Sequence, residues 1–424
     1  MTRINTNVPS IRAIHQLGTN QRDLEIRLHR LATGLRINSG RDDPAGLIAS
    51  ESLRSEIRGI QQAIENSTRA INVIATAEGA LQEVSALLLE IRELITHSAN
   101  EGALSEDEIN ANQLQIDSLL ESIDRIANTT QFAGQKLLNG SYEYTVSGVN
   151  SSHLDKVTIY GASLGDGSGL PVTIEVTDSA ELAQLTFAAS GLGSDNVTIE
   201  VQGTKGTQVF SFAGSTHVSA MAMAINSFSH LTGVSATVTA GYSALVLNST
   251  SYGSDAFVSV QVIDGTFTLE DPDGNTATRD TGQDASVLIN GQSATVDGLT
   301  ASIRGGGLDL VVTLSSSFGT TLGTTSFWVT GGGARFQLGP EVNASGQLHI
   351  GIPAVSTSHL GGAVTGYLAS IRTGGANSIV SGNYTQAEEI VKAASNQVAV
   401  LRGRLGGIQR NQIETNINSP QVAL

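Results

Sequence analysis

Cysteine is absent from the 424 residues, which excludes disulfides, thiolate metal sites and a cysteine nucleophile. Basic residues are scarce: 23 Lys and Arg face 39 Asp and Glu, a formal charge of −16, so no basic patch offsets the phosphate repulsion of a nucleic acid. One Trp and 4% aromatic content leave no stacking platform for single strands. No apolar run approaches the roughly 18 residues that a membrane span needs. The opening Met1-Thr2-Arg3-Ile4-Asn5-Thr6-Asn7 lacks the apolar core of a secretory signal. On these rules alone the chain would stay in the cytoplasm, and its length allows two or three domains.

What is present is helical rhythm at both ends. Apolar residues recur at Ile57, Ile60, Ile64, Ile71, Ile74, Ala77, Leu81, Val84 and Leu88, in steps of three or four apart from one skipped position at Ser67. The rhythm returns at Val391, Ala394, Val398, Leu401, Leu405 and Ile408. So narrow a stripe is a helix-packing seam that other helices must cover. An earlier stripe runs through Ile11, Ile14, Leu17, Leu24, Leu28, Leu31 and Leu35, over residues 8–36, and its other faces carry arginines. Asn38-Ser39-Gly40 and Asp42-Asp43-Pro44 end it, and a long helix from about Ala45 to Ala99 follows. Ser105 with Glu108 has capping-box spacing for a helix along Ile109, Ile116, Leu120, Ile123 and Ile126, and Thr385 with Glu388 offers the same signature for the C-terminal helix. Gly406-Gly407 within that helix costs roughly 1 kcal/mol per residue against Ala; close approach of another helix is the expected reason to keep it.

From about Ser141 the period changes to two. Val172-Thr173-Ile174-Glu175-Val176, Val197-Thr198-Ile199-Glu200-Val201 and Val258-Ser259-Val260-Gln261-Val262 alternate between Gly, Asn and Asp turns, with a short helix near Val218–Phe228. Residues 284–314 read as a compact hairpin unit in which Asn290-Gly291 is a strong turn signal. The expected fold is α+β: a long coiled-coil-like helical bundle made from both termini, with a β-rich central insert at 141–350 that divides near Gly265. Between Ser141 and Ile350 there are five Lys/Arg and eighteen Asp/Glu, 5 − 18 = −13, so the insert holds most of the excess charge as a solvated acidic surface.

No active site is visible. Gly161-Ala162-Ser163-Leu164-Gly165 matches the nucleophile-elbow pattern of hydrolases but lies in a loop running into Asp166-Gly167-Ser168-Gly169 rather than on a strand-to-helix turn. Asp271-Pro272-Asp273-Gly274-Asn275 has the carboxylate density of a calcium loop without its order or closing Glu, and a Pro-containing β-turn accounts for it. The eight histidines never fall at zinc spacing. Gly305-Gly306-Gly307 and Gly331-Gly332-Gly333 are followed by no lysine or helix start of a phosphate loop. Neither enzyme activity nor a cofactor or metal is expected.

Several words of this sequence nevertheless resemble bacterial flagellin. They are Ile4-Asn5-Thr6-Asn7, Leu31-Ala32-Thr33-Gly34-Leu35-Arg36-Ile37-Asn38-Ser39, Asp42-Asp43-Pro44-Ala45-Gly46, Ile91-Arg92-Glu93-Leu94 and Thr130-Gln131-Phe132-Ala133-Gly134-Gln135-Lys136-Leu137-Leu138. Near the other end Leu401-Arg402-Gly403-Arg404-Leu405-Gly406-Gly407-Ile408-Gln409 is similar to the family's C-terminal helix. The resemblance covers about 1–140 and 360–424 and spares the middle, although 284–314 is similar to the Ile-Asn-centred module of some flagellins and hook proteins.

The resemblance implies a structural filament subunit for motility, a homopolymer of identical subunits served by an export chaperone and cap proteins. Residues 1–45 would form the inner tube, with Ile11, Ile14, Leu17, Leu24, Leu28, Leu31 and Leu35 as assembly contacts. Residues 46–140 and 385–424 would form the helical core, 351–384 a return segment, and the insert would face solvent. Export through the flagellar type III channel needs no cleavable signal, so the resemblance replaces the cytoplasmic expectation with an extracellular flagellum. Flagellins normally continue past a sequence like Ser419-Pro420-Gln421-Val422-Ala423-Leu424 into a last helix that pairs with the first. The stripe at Ile11–Leu35 is therefore expected to lack its partner within this chain. The family's Toll-like-receptor patch maps onto Leu88-Leu89-Glu90-Ile91-Arg92-Glu93-Leu94. Stimulatory members carry a basic residue where Glu90 stands, which implies weak recognition through Glu90, Arg92, Glu93 and Leu94. A hook–filament junction protein shares both ends and is the alternative. Metalloprotease inserts of some flagellins bring a His-Glu-x-x-His motif that is absent here.

Overall fold

The computed structural model describes residues 7–164, 169–241, 243–305 and 307–418. Seven α-helices are described: α1 (Val8–Thr33), α2 (Pro44–Ser98), α3 (Glu106–Thr129), α4 (Val218–Ser227), α5 (Ser229–Thr232), α6 (Ser316–Gly319) and α7 (Tyr384–Ile408). Local chemistry sets most of the long helices' ends. The Asn7 side chain accepts from Ser10 N at 3.3 Å to open α1, which closes at Thr33, short of the expected span over 8–36, because Gly34 turns left-handed at φ 71°. Asp43 caps α2 through Gly46 N at 2.9 Å, with Pro44 as first helical residue. Ser105 and Glu108 form the full capping box of α3.

Thr385 and Glu388 do not cap α7, contrary to expectation. That helix begins one residue earlier with Asn383 before it and no side-chain cap, and the Glu388 carboxylate accepts instead from Arg92 of α2 at 2.9 Å. The Gly406-Gly407 expectation is corrected too. A side chain at Gly403, Gly406 or Gly407 would meet no atom within 4 Å, so no backbone approaches there. The glycines come just before a π-helical turn at Gln409–Glu414 that buries Ile413.

Helix α2 is 55 residues long, about 80 Å. Leu81, Leu88 and Ile91 from α2, Ile116, Leu120 and Ile123 from α3, and Val391, Val398 and Leu405 from α7 belong to one buried apolar cluster. Polar side chains of α3 fasten the segment that returns from the insert. Gln113 donates to Ile371 O and accepts from Ile379 N, each at 3.0 Å. Asp117 accepts from Thr373 N at 3.0 Å, and Asp124 accepts from Thr357 N at 2.8 Å and from Arg372 at 2.5 Å.

The insert is two nested lobes. A proximal lobe holds a five-stranded sheet ordered Gln292–Ser293, Ser286–Ile289, Leu170–Asp178, Gly323–Gly332, Tyr144–Ser147, and a four-stranded sheet ordered Thr295–Asp297, Thr300–Gly305, Leu308–Leu314, Leu154–Ala162. Val172, Ile174, Leu310, Val312 and Phe327 lie in its core. A distal lobe is spliced into it: a three-stranded sheet (Leu182–Phe187, Leu245–Tyr252, Val234–Val238) and a four-stranded sheet (Arg279–Thr281, Phe257–Asp264, Val197–Gln202, Thr207–Phe212) enclose a second core with α4. The expected division near Gly265 is therefore wrong, since Gly265 follows a strand inside the distal lobe. The boundary is instead a neck where the chain crosses twice, with Glu181 N donating to Gln283 O at 2.9 Å and Gln283 N to Glu181 O at 3.1 Å. Nor is 284–314 self-contained: Ser286–Ile289 pairs with Leu170–Asp178, and Leu308–Leu314 with Leu154–Ala162. Its turn does form as read, with Asn290 at φ 50° and Gly291 at φ 76°.

Asp284 closes the neck. Its carboxylate accepts from Ser254 N at 3.0 Å and Ser254 Oγ at 2.6 Å on the distal side, and from Gly298 N at 2.8 Å on the proximal side. Gly253 is required beside it: at φ 110° a Cβ would lie 2.6 Å from Asp284 Oδ1.

Leu81→Ala should lower the urea stability of the helical rod, followed by circular dichroism, by about 2–5 kcal/mol, because a cavity opens in a filled seam. Leu28→Ala on the exposed α1 should change it by less than about 0.5 kcal/mol. The hydrogen bond from the Ser254 hydroxyl, aided by the backbone N–H groups of Gly298 and Ser254, outweighs burial and holds the Asp284 carboxyl below its ordinary 3.8. A group so depressed contributes stability that is full above its unfolded value and is lost as pH falls through the folded one. Protection of the Ser254 and Gly298 amides, relative to their intrinsic exchange rates, should therefore fall only below about pH 4, and Asp284→Asn should flatten that dependence.

Candidate assembly surface

Helix α1 buries nothing: none of its residues is buried. Ile11, Ile14, Leu17, Leu24, Leu28 and Leu31 along it, and Leu35 just beyond, are all exposed, Leu31 to 81%. They share one side of a helix whose other faces carry Arg12, Arg22, Arg27 and Arg30, so the apolar side is a continuous stripe rather than scattered residues. At the start of α2, Ile48 and Leu53 are also exposed.

The seam residues divide by position. Ile74, Leu81, Leu88, Val391, Val398, Leu401 and Leu405 are buried, Ile60, Ile64, Ile71 and Ile408 are half-buried, and Ile57 is 41% exposed. The gradient follows the partners. Helix α7 runs back along α2 from Arg92 opposite Glu388, and beyond it the loop at Pro340 reaches only to Gly59, where a Cβ would be 3.3 Å from Pro340.

The patch at residues 88–94 lies on the solvent side of α2. Glu90 and Glu93 are exposed, Leu94 is half-buried against the rod core, and Arg92 is held by Glu388. Leu89 is exposed and Leu88 is buried in the seam.

Residues that imitate catalytic motifs have structural partners. Gly161 and Ala162 end the strand Leu154–Ala162, and Ser163 N donates to Gly307 O at 2.7 Å. Gly165, Asp166, Gly167 and Ser168, like Gly306, lie outside the described residues, as do Ile4, Asn5 and Thr6 of the first motif and Ser419 to Leu424 of the last. Asp271 O accepts from Gly274 N at 3.0 Å and Asp271 Oδ1 from Asn275 N at 2.8 Å, which closes a β-turn. Among the described residues no group of three or more His, Asp or Glu is arranged to hold a metal, and no helix is long and apolar enough to cross a membrane.

Sequence reasoning missed the polar contacts that join insert to rod. Arg404 of α7, its side chain 14% exposed, lies 3.8 Å over the Tyr160 ring and pairs with Asp309 of the strand Leu308–Leu314. Burial raises the Tyr160 hydroxyl above its ordinary value, against the nearby Arg404 charge. Lys156 donates to Gly361 O at 3.2 Å, and burial lowers its ammonium, against the pull of Glu143. Only an Arg in an otherwise apolar and glycine-rich helical word hinted at this.

Two family models match the chain: the bacterial flagellin N-terminal helical region over residues 4–143 and the flagellin hook IN motif over residues 196–251. The second falls in the distal lobe, not at 284–314 where it was expected. Flagellin of Bacillus subtilis is 39% identical over 154 residues, 36% of this chain and 51% of that protein. Flagellin of Halalkalibacterium halodurans is 43% identical over 154 residues, 36% of this chain and 56% of that protein. Flagellin E of Vibrio cholerae is 37% identical over 205 residues, 48% of this chain and 50% of that protein. The alignments span about half the length of these relatives. Among solved structures, FliC from Burkholderia pseudomallei overlaps 80% of this chain and 98% of that one at 14% identity, with a TM-score of 0.25. That score adds nothing to the fold described above. The match over residues 4–143 takes in α1, α2 and α3, and over this N-terminal third the chain is similar to the bacterial flagellins.

Proposed function

We propose that this chain is a structural subunit of the bacterial flagellar filament, polymerising by burial of helical stripes between copies and performing no chemistry. The observation that carries the reading is the exposed α1 stripe, seven apolar side chains long. Each gains roughly 1.5–3 kcal/mol on full burial, which exceeds what ordering one side chain costs. A helix this amphipathic is marginal alone in water, so its natural state is covered.

In this reading residues 1–45 line the inner tube. Residues 46–140 and 385–424 form a coiled-coil-like core, 351–384 returns the chain, and the acidic insert at 141–350 faces solvent. The partners are further copies of the subunit, an export chaperone and cap proteins, and the filament stands outside the cell after type III export. Nucleic acid and membrane have no part in it, consistent with the charge of −16. Recognition by the Toll-like receptor would be weak, because Glu90 projects a carboxylate from the exposed face of residues 88–94.

Sedimentation and negative-stain microscopy after seeding with flagellin filament fragments test the proposal. We expect incorporation of the chain into the seeded filaments, and its loss in Leu24→Asp/Leu28→Asp with the circular dichroism of the rod unchanged. Undiminished assembly of that double variant would show that the stripe is not the assembly face. In a receptor reporter assay Glu90→Arg should raise potency, and full potency of the unaltered chain would dismiss the weak-recognition claim.

A further inference from the structure

The insert meets α7 at two places of unequal strength. Toward the C-terminal end, the proximal lobe is seated on Arg404 through Asp309 and the Tyr160 ring, in a contact largely withdrawn from water. Toward the N-terminal end, the distal lobe reaches the same helix. Lys205, in the turn between strands Val197–Gln202 and Thr207–Phe212, pairs with the carboxylate of Glu389, and these side chains are 39% and 31% exposed. The two contacts are 404 − 389 = 15 residues apart, about 22 Å along the helix. Glu388 is already engaged by Arg92, which leaves Glu389 to Lys205.

We propose that the distal lobe is a strap, closed on the helical rod by Lys205 and Glu389 and opened by ionic strength, while the proximal lobe stays seated on Arg404. Three observations converge on it. The distal lobe has its own apolar core, so it moves without unfolding. Its covalent connection is a narrow two-crossing neck at Glu181 and Gln283, where the Asp284 carboxylate clamps Ser254 to Gly298 and Gly253, Gly282 and Gly298 let the backbones pack closely, so the lobe pivots there as a unit. Its tie to α7 is solvent-exposed, and exposed pairs shift an equilibrium by only about 1.4- to fivefold and are screened by salt. The Arg404 contact is shielded and loses much less. Opening would lengthen the particle and release Glu389 beside the Arg92–Glu388 pair. The device works within one chain, so its fate is independent of whether the chain polymerises.

The test uses the full chain as a monomeric fraction. Carbodiimide couples a lysine to a carboxylate only when they touch, so mass spectrometry should find a Lys205–Glu389 amide at low salt. Its yield should fall at about 1 M salt, where the screening length is about 3 Å. Small-angle scattering should show the radius of gyration rising over the same range. Lys205→Glu should raise the open population roughly two- to fivefold at low salt, and Lys205→Glu combined with Glu389→Lys should restore the closed form. Melting of the distal lobe should be the same in all variants. Absence of the cross-link, or a radius indifferent to salt and to both variants, would overturn the proposal.

Discussion

Burial of one side of α2 is the constraint on which the rest of the molecule depends. A 55-residue amphipathic helix cannot hold its shape in water alone, and α3 and α7 supply the cover between about Ala70 and Ile95. Because α7 comes from the far end of the chain, the whole insert must leave the rod and return beside it. The return is fixed by polar groups as well as by apolar ones such as Val355, Leu368 and Ile379, which join the rod core: Gln113, Asp117 and Asp124 of α3 accept or donate at backbone positions 357, 371, 373 and 379. Buried backbone groups in an irregular segment need such partners, and here a regular helix provides them.

The insert solves the same problem twice. Each lobe closes two antiparallel sheets over its own core, and the second lobe enters the first at adjacent chain positions, so both can be built without disturbing the rod. Charge adds to apolar burial where the parts meet. The insert has five cations against eighteen acids, and two of those cations, Lys156 and Lys205, are spent at contacts with the rod or return segment, while the rod's Arg404 engages the insert's Asp309. An acidic body is thus joined to the helices by a few specific attractions together with apolar contacts such as Ile350, Tyr142 and Phe336 against the rod core, and most of its carboxylates remain in solvent.

Features decided within a few residues were legible in the sequence. The Ser105 capping box, the alternating strands, the Asn290-Gly291 turn and the break between α1 and α2 all follow from local backbone chemistry. So did the seam, because period and polarity suffice to identify a helix face, and α1's stripe could be picked out residue by residue. The misreadings share a cause. Thr385 and Glu388 have capping spacing, but Arg92 lies across from Glu388 and draws its carboxylate away. Gly406-Gly407 suggested a neighbour that is not there. The lobe boundary was placed at a glycine inside a lobe, because splitting a chain at composition shifts cannot show that residue 181 pairs with residue 283.

By itself, then, the sequence determined the helices, the strands, the apolar faces and the acidic balance, since these depend on propensity and periodicity along the chain. Only the tertiary structure decided which stretches of each seam are covered, how one lobe nests in another, and which few ions join insert to rod. Those depend on residues tens to hundreds of positions apart coming within 3 or 4 Å, and neither spacing nor composition encodes that distance.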